Sequence, residues 1–233
     1  MKNICIIPAR KGSKRITNKN RINFCGKPMI VWTIEAAIKS NCFDEVIVAT
    51  DCEEIAEIAL VNGANVPFLR DQNVDDFSPI SQATLSYLLK YEKLYNLKIS
   101  SVTQAMANCP IRNEVEFKNL FNEFKSYNNS IISGFKYGMF NPWWAHEVSE
   151  NICKPLFKKV KNVRSQDLPE LLCPSGAIWI SKWETLKIEK SFYSKGYKLV
   201  DIGWKNAVDI DDKADFELAE ILFKSIHSKY GEL

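Results

Sequence analysis

The first 135 residues alternate between short apolar runs and longer segments whose apolar positions recur every three to four residues. Ile4–Pro8 is a continuous apolar run of strand length, as expected of a strand buried on both faces. Met29–Ser40 sets Ile30, Ile34, Ala37 and Ile38 along one side, with Pro28 at its first turn, and predicts a helix. The same reading gives a strand at Glu45–Thr50 and a helix over Glu53–Asn62, ended by Gly63. A brief strand at Val66–Leu69, a helix over Ser81–Leu94 and a strand at Ile99–Gln104 follow. A helix over Glu114–Tyr127 and a strand at Ser130–Phe135 complete the series. Strands alternating with helices in this way predict an α/β fold, with a mostly parallel sheet covered on both faces.

From Lys136 to about Gly196 the rhythm breaks, and aromatic residues such as Trp143, Trp144, Phe157, Trp179, Phe192 and Tyr193 accumulate. A strand at Ala177–Ser181 is predicted inside this stretch. The insert reads equally as a partner-binding lobe or as a second small core. The α/β rhythm returns with a strand at Lys198–Ile202, the segment 207–211 and a final helix from Lys213 to His227. No repeat or Pro/Gly/Ser linker divides the chain. One domain over 1–233 is expected, with 136–196 inserted in it.

Composition narrows the chemistry. The 233 residues carry 31 Lys+Arg against 28 Asp+Glu, and a net charge of +3 is too small to suggest nucleic-acid binding or a polybasic membrane patch. With two histidines, a His-centred triad or multi-His metal site is not expected. There is no uninterrupted apolar run of 18 residues to suggest a membrane helix, and Ile4–Ile7 is too short for a signal-peptide core. Seven scattered cysteines without a C-x-x-C spacing read as small apolar fillers in a reducing cytoplasm. Arginine is scarce, six against 25 lysines, yet Arg10, Arg15 and Arg21 fall within twelve residues. That clustering suggests planar, multi-donor recognition of an anion.

Three segments look chemical. After Ile4–Pro8 the chain enters a loop with Arg10, Lys11, Gly12, Ser13, Lys14, Arg15, Lys19 and Asn20. Loops at the carboxyl ends of parallel strands bind ligands, and backbone N–H groups at Gly12 and Ser13 beside Arg10, Lys14 and Lys19 would suit a polyphosphate. Neither a Walker A loop nor a dinucleotide fingerprint occurs, and a solvated basic loop is the plain alternative. In Val208-Asp209-Ile210-Asp211-Asp212, an extended backbone would turn Asp209 and Asp211 to one side, two hard oxygen ligands suited to Mg²⁺. The alternative is helix capping, which fits Asp212 better than the other two. The third segment, Arg164-Ser165-Gln166-Asp167, offers planar donors for a carboxylate and hydroxyls, or else a turn with a surface salt bridge.

Together these segments resemble the acylneuraminate cytidylyltransferase family, the CMP-sialic acid synthetases. The resemblance spans nearly the whole chain. It rests on Ala9-Arg10…Ser13-Lys14…Lys19-Asn20, Thr50-Asp51, Phe68-Leu69-Arg70, Cys109-Pro110-Ile111-Arg112, Arg164 to Pro169, Gly176-Ala177-Ile178-Trp179 and Asp209-Ile210-Asp211. It implies a Rossmann-like three-layer α/β/α nucleotidyltransferase fold (GT-A-like), whose insert is a small dimerisation lobe. It also implies a cytoplasmic, Mg²⁺-dependent homodimer that joins CTP to a nine-carbon 2-keto acid sugar and releases pyrophosphate. By motif, Ala9, Arg10, Gly12, Ser13, Lys14, Lys19 and Asn20 fall on nucleotide and triphosphate contacts, and Arg70 and Ser78 on the cytidine half. Asp209 and Asp211 match the metal carboxylates and, with Arg10 and Lys19, form the catalytic set.

Arg164, Gln166 and Trp179 fall in the sugar pocket, and Phe192 and Tyr193 match an aromatic pair that reaches the partner subunit's site. Two departures concern the sugar. Relatives carry a sugar-binding Gln where this chain has Met106, with Gln104 two residues earlier, and a lobe Lys is replaced within Asn141–His146. The resemblance leaves two rival readings: another sugar nucleotidyltransferase, such as one for an eight-carbon acid (CMP-Kdo type), and a non-catalytic nucleotide-sugar binding protein. No general base stands out.

Overall fold

In the first strand, β1 (Lys2–Pro8), Cys5 and Ile7 pack into one core and Ile4 and Ile6 into another, so an uninterrupted apolar run is what the position demands. The computed structural model describes residues 1–13, 15–71, 79–138, 140–160 and 163–228. β4 (Glu45–Ala49) repeats the arrangement, with Val46 and Val48 on one face and Ile47 and Ala49 on the other. These strands belong to a six-stranded sheet in the order β10-β6-β9-β5-β1-β4. Its other members are β5 (Ile99–Ala105), β6 (Ile131–Lys136), β9 (Leu172–Lys182) and β10 (Lys198–Asp201). Pairing is parallel for β1 with β4 and β5 and for β10 with β6, and antiparallel where β9 lies between β5 and β6.

One face is covered by α1 (Met29–Lys39), α2 (Glu53–Val61) and α4 (Glu114–Tyr127), through residues including Ile34, Ala59 and Phe117. The other is covered by α3 (Ile80–Tyr95) and α5 (Trp183–Glu189), through Leu88, Tyr91, Trp183 and Leu186. The three layers are those expected. A third cluster joins Phe24, Met29, Ile111 and Ile210 to Ala219 and Phe223 of α6 (Lys213–Ser228), and docks that helix beside the ends of β1 and β5.

Most expected elements lie within one or two residues of their places. Val66–Leu69 is an exception: only Asn65 bridges to Ile47, and Pro67, lacking an N–H, cannot continue a ladder. The predicted Ala177–Ser181 strand extends back to Leu172. Two antiparallel hairpins had no counterpart in the pattern: β2 (Asn23–Phe24) with β3 (Lys27–Pro28), and β7 (His146–Ser149) with β8 (Ile152–Pro155). The second lies in the aromatic insert, and its residues stay largely exposed.

Candidate active site

The carboxyl ends of β1, β4 and β5 open on one edge of the sheet, and the chemical segments meet there. Past Pro8, the Ala9 N–H donates to Ala49 O at 3.0 Å, which carries the β1 path alongside β4 for one more residue. The Lys11 N–H then donates to Asp51 Oδ1 at 2.7 Å, tying the basic loop to the Thr50-Asp51 corner. Asn20 Nδ2 closes the loop on Arg10 O at 3.1 Å. The chain returns through a 3-10 turn at Lys19–Arg21, entered through Asn18 in the left-handed region (φ 57°), where Asn is among the tolerated residues. Gly12 stands open, with nothing within 4 Å of where a Cβ would sit.

From the other side comes the acidic segment. Ile210 is fully buried against α6, while the carboxyl groups of the aspartates flanking it both reach the side-chain nitrogen of Asn108. Lys19 Nζ donates to Ile210 O and to Asp211 Oδ1, both at 2.9 Å. Arg15 donates to Asp211 Oδ2 at 2.7 Å. The cationic loop and the acidic segment are therefore joined through Asp211. Capping of α6 is done elsewhere: the Asp215 N–H donates to Asp212 Oδ1, and the Asp212 N–H to Asp215 Oδ2, each at 3.0 Å.

The floor between these segments is the turn after β5. Arg112 is almost wholly buried beneath it and donates to Cys109 O at 2.8 Å, Met106 O at 2.9 Å and Thr33 Oγ1 at 3.0 Å. The turn so held presents Asn108. Its side-chain amide donates to Asp209 Oδ1, to Ile210 O at 3.1 Å and to Asp211 Oδ1 at 3.4 Å, while its own carbonyl accepts from the Ile210 N–H at 2.9 Å. Met106 closes the side. Its Cγ lies 3.2 Å from where a Cβ on Gly176 would be, and Asp209 Oδ2 lies 3.8 Å from the same point. A side chain at Gly176 would require Met106 to shift by a few tenths of an ångström.

The two carboxyl groups are electrostatically unlike. Asp209 is exposed as a whole residue, but its carboxyl end sits among Met106, Asn108 and the Gly176 backbone. That crowding, with the charge of Asp211 added, pushes it up to about 6. Burial also works to raise Asp211, but hydrogen bonds and charge from Lys19 and Arg15 outweigh it and hold Asp211 below the ordinary carboxylate range. Among the described residues no group of three or more His, Cys, Asp or Glu is placed to hold a metal. Two carboxylates converging on one amide nitrogen fit Mg²⁺, which commonly takes one or two protein carboxylates and completes its shell with water and phosphate oxygens.

The other expected site residues lie around this centre or apart from it. Arg70 is buried, its N–H donating to Thr50 O at 2.7 Å. Gln104 pairs in register with Trp179, and its Oε1 accepts from Thr84 Oγ1 of α3 at 2.6 Å. It is 1% exposed, and its Nε2 has no hydrogen-bond partner among the described residues. Trp179 donates from its indole to Ser175 O at 2.7 Å and meets Phe192 and Tyr193 at centroid distances of 5.8 and 5.5 Å. Phe192 is fully buried in this chain's own core, so of that pair Tyr193 alone is exposed on the protomer. Arg164 is exposed and pairs with Asp167 at 2.7 Å, the surface salt bridge of the plainer reading. Gln166 lines a separate cavity of about 350 Å³ with Tyr137 and Pro169. Lys14 and Ser78 lie outside the described residues.

Three residues of the centre carried no site role in the sequence. Arg15 was visible only as part of the arginine cluster. Asn108 and Arg112 stand in the Met106–Arg112 motif, but nothing in a linear pattern shows that one faces the acidic pair and the other lies under the turn.

A cationic loop and an acidic pair are joined at the carboxyl edge of a mostly parallel sheet. Residues 4–101 match the family model described as Cytidylyltransferase. A pseudaminic acid cytidylyltransferase of Campylobacter jejuni is 36% identical over 231 residues, 97% of this chain and 98% of that protein. The CMP-N,N'-diacetyllegionaminic acid synthase of Legionella pneumophila is 30% identical over 228 residues, 96% of this chain and 97% of that one. An N-acylneuraminate cytidylyltransferase of Streptococcus agalactiae is 33% identical over 93% of this chain and 52% of its own length. The chain belongs to this cytidylyltransferase family. A CMP:2-keto-3-deoxy-manno-octonic acid synthetase solved with CTP shares the fold, at a TM-score of 0.70 and 16% identity over 97% of this chain and 100% of that one.

Proposed function

We propose that this chain joins CTP to a nine-carbon 2-keto acid sugar of the nonulosonic type, forming the CMP-sugar and pyrophosphate. The observation that carries the reading is the convergence of Arg15, Lys19 and Asn108 on the Asp209–Asp211 pair at the sheet edge. A triphosphate entering there meets Arg10, Lys14 and Lys19 as countercharge for the leaving pyrophosphate and the backbone of Ala9, Gly12 and Ser13 as donors. Asn20 acts through the loop it closes. Arg70 and Ser78 take the cytidine half. The sugar lies towards Gln104, Met106 and Trp179, with Arg164 and Gln166 as donors from the lobe and Tyr193 facing the partner subunit.

Asp209 and Asp211 would hold Mg²⁺, which when bound supplies positive charge where the triphosphate's negative charge must be neutralised. The chain's part is to align the sugar hydroxyl with the α-phosphorus and to offset charge on the departing pyrophosphate. A homodimer is supported by the lobe's exposed Phe140, Trp144, Val148, Ile152 and Leu156, apolar surface that a second copy would cover. Seven free thiols, three of them buried, suit the reducing cytoplasm.

Asp209→Ala tests the assignment. Metal-dependent pyrophosphate release should be lost while the melting temperature stays within a few degrees of the parent. Near-normal turnover would contradict it.

A further inference from the structure

We propose that Asn108 is a positioning residue that sets the spacing and direction of the Asp209 and Asp211 carboxylates for a divalent cation. The inference rests on the reading that those two carboxylates hold the metal. Three acceptors surround the one amide nitrogen: Asp209 Oδ1, Ile210 O and Asp211 Oδ1. One side-chain nitrogen thus reaches a carboxyl oxygen of each aspartate. The hydrogen bonds of Arg15 and Lys19 go to Asp211, and Lys19 acts on Asp209 through its charge.

The geometry is that of a clamp rather than a chance contact. Asn108 accepts from the Ile210 N–H through its backbone carbonyl and donates to Ile210 O through its side chain, so both backbone polar groups of Ile210 are tied to one residue. The residue itself is fixed. It is 6% exposed, and the turn bearing it is pinned at Met106 O and Cys109 O by the buried Arg112 guanidinium. The acidic segment is fixed from behind by Ile210 in the α6 cluster. The β5 turn and the α6 entry thus meet at Asn108 as well as through Ile111 and Ile210 in their shared cluster, with the two carboxylates oriented before any cation arrives. Groups that orient metal ligands in this way commonly contribute tenfold or more to metal affinity.

Mn²⁺ binding to the nucleotide-free protein, followed by electron paramagnetic resonance, tests this without turnover. Asn108→Ala should weaken Mn²⁺ binding about tenfold. In pyrophosphate release it should raise the Mg²⁺ concentration giving half-maximal rate by a similar factor, with kcat at saturating Mg²⁺ within about twofold of the parent. A merely structural role would lower kcat or the melting temperature and leave the metal constant unmoved, and that result overturns the proposal. If Asn108→Ala does not fold, Asn108→Ser, which keeps a single donor, carries the same test with an expected loss of about threefold. Asp209→Ala separates the two levels. If it loses Mn²⁺ while Asn108→Ala binds like the parent, the clamp is wrong and the carboxylate reading stands. If it too binds Mn²⁺ like the parent, or the parent binds none, the carboxylate reading itself fails.

Discussion

Phe223→Ala is expected to loosen the acidic segment from the sheet, because this side chain is the largest fully packed anchor of the helix that follows that segment. Phe223 is 4% exposed. It packs edge-on against Phe24 at 5.4 Å and Trp32 at 4.5 Å, and stacks on His227 at 3.8 Å. Removing a buried Phe forfeits transfer energy and leaves a cavity, together about 3–5 kcal/mol. The aromatic contacts, at about 0.5–1.5 kcal/mol each beyond area, place this site towards the upper end. For a chain of this length, each kcal/mol lowers the melting temperature by about 2–4 °C, so a drop of roughly 8–20 °C is expected. Phe223→Leu keeps most of the volume and should lose less than half as much. Ile210 shares the cluster, so at a temperature where the variant remains folded the Mg²⁺ requirement should rise along with the loss of stability. Urea unfolding followed by circular dichroism measures the first effect and pyrophosphate release against Mg²⁺ the second. A destabilisation under about 1 kcal/mol would show that α6 is not anchored as described.

Two further outcomes are expected. Arg112→Lys keeps the buried charge, but a single ammonium cannot fork to Cys109 O, Met106 O and Thr33 at once, so at about 1.5–3 kcal/mol per lost charged hydrogen bond the chain is destabilised; equal unfolding midpoints would contradict this. Burial works to raise Glu45, but hydrogen bonds from Asn65, Lys2 and Tyr91 outweigh it and leave Glu45 below its unfolded value. Its ionised form therefore adds stability that is complete above the unfolded value and lost as pH falls through the folded one. The stability gap between the parent and Glu45→Gln should shrink from about pH 7 to about pH 4, and a gap that stays constant refutes the assignment.

The layered sheet was legible because its strands are buried on both faces and its helices on one, which leaves distinct periods in the sequence. β1 and β4 show this most clearly. The Asn23–Pro28 and His146–Pro155 hairpins were not legible, because two to four residues per strand are too few to set up a period. The basic loop and the aspartates could be picked out because charges in a segment leaving a buried strand, or alternating about a buried Ile210, have few structural uses. Asn108 could not, since an amide's role depends on which acceptors the fold brings to it across 101 residues of sequence. The residues proposed for the sugar are divided for the same reason. Gln104 and Trp179 pair across β5 and β9, whereas Arg164 sits on the lobe and pairs locally with Asp167.

Pyrophosphate release measured with each of CTP, UTP, ATP and GTP, against pseudaminic, legionaminic, N-acetylneuraminic and an eight-carbon 2-keto acid, tests the central claim most directly. Release is expected with CTP and at least one of the nine-carbon acids, with the matching CMP-sugar formed in equal amount. Preference for the eight-carbon acid or for another nucleotide, or no release with any pair, would contradict it.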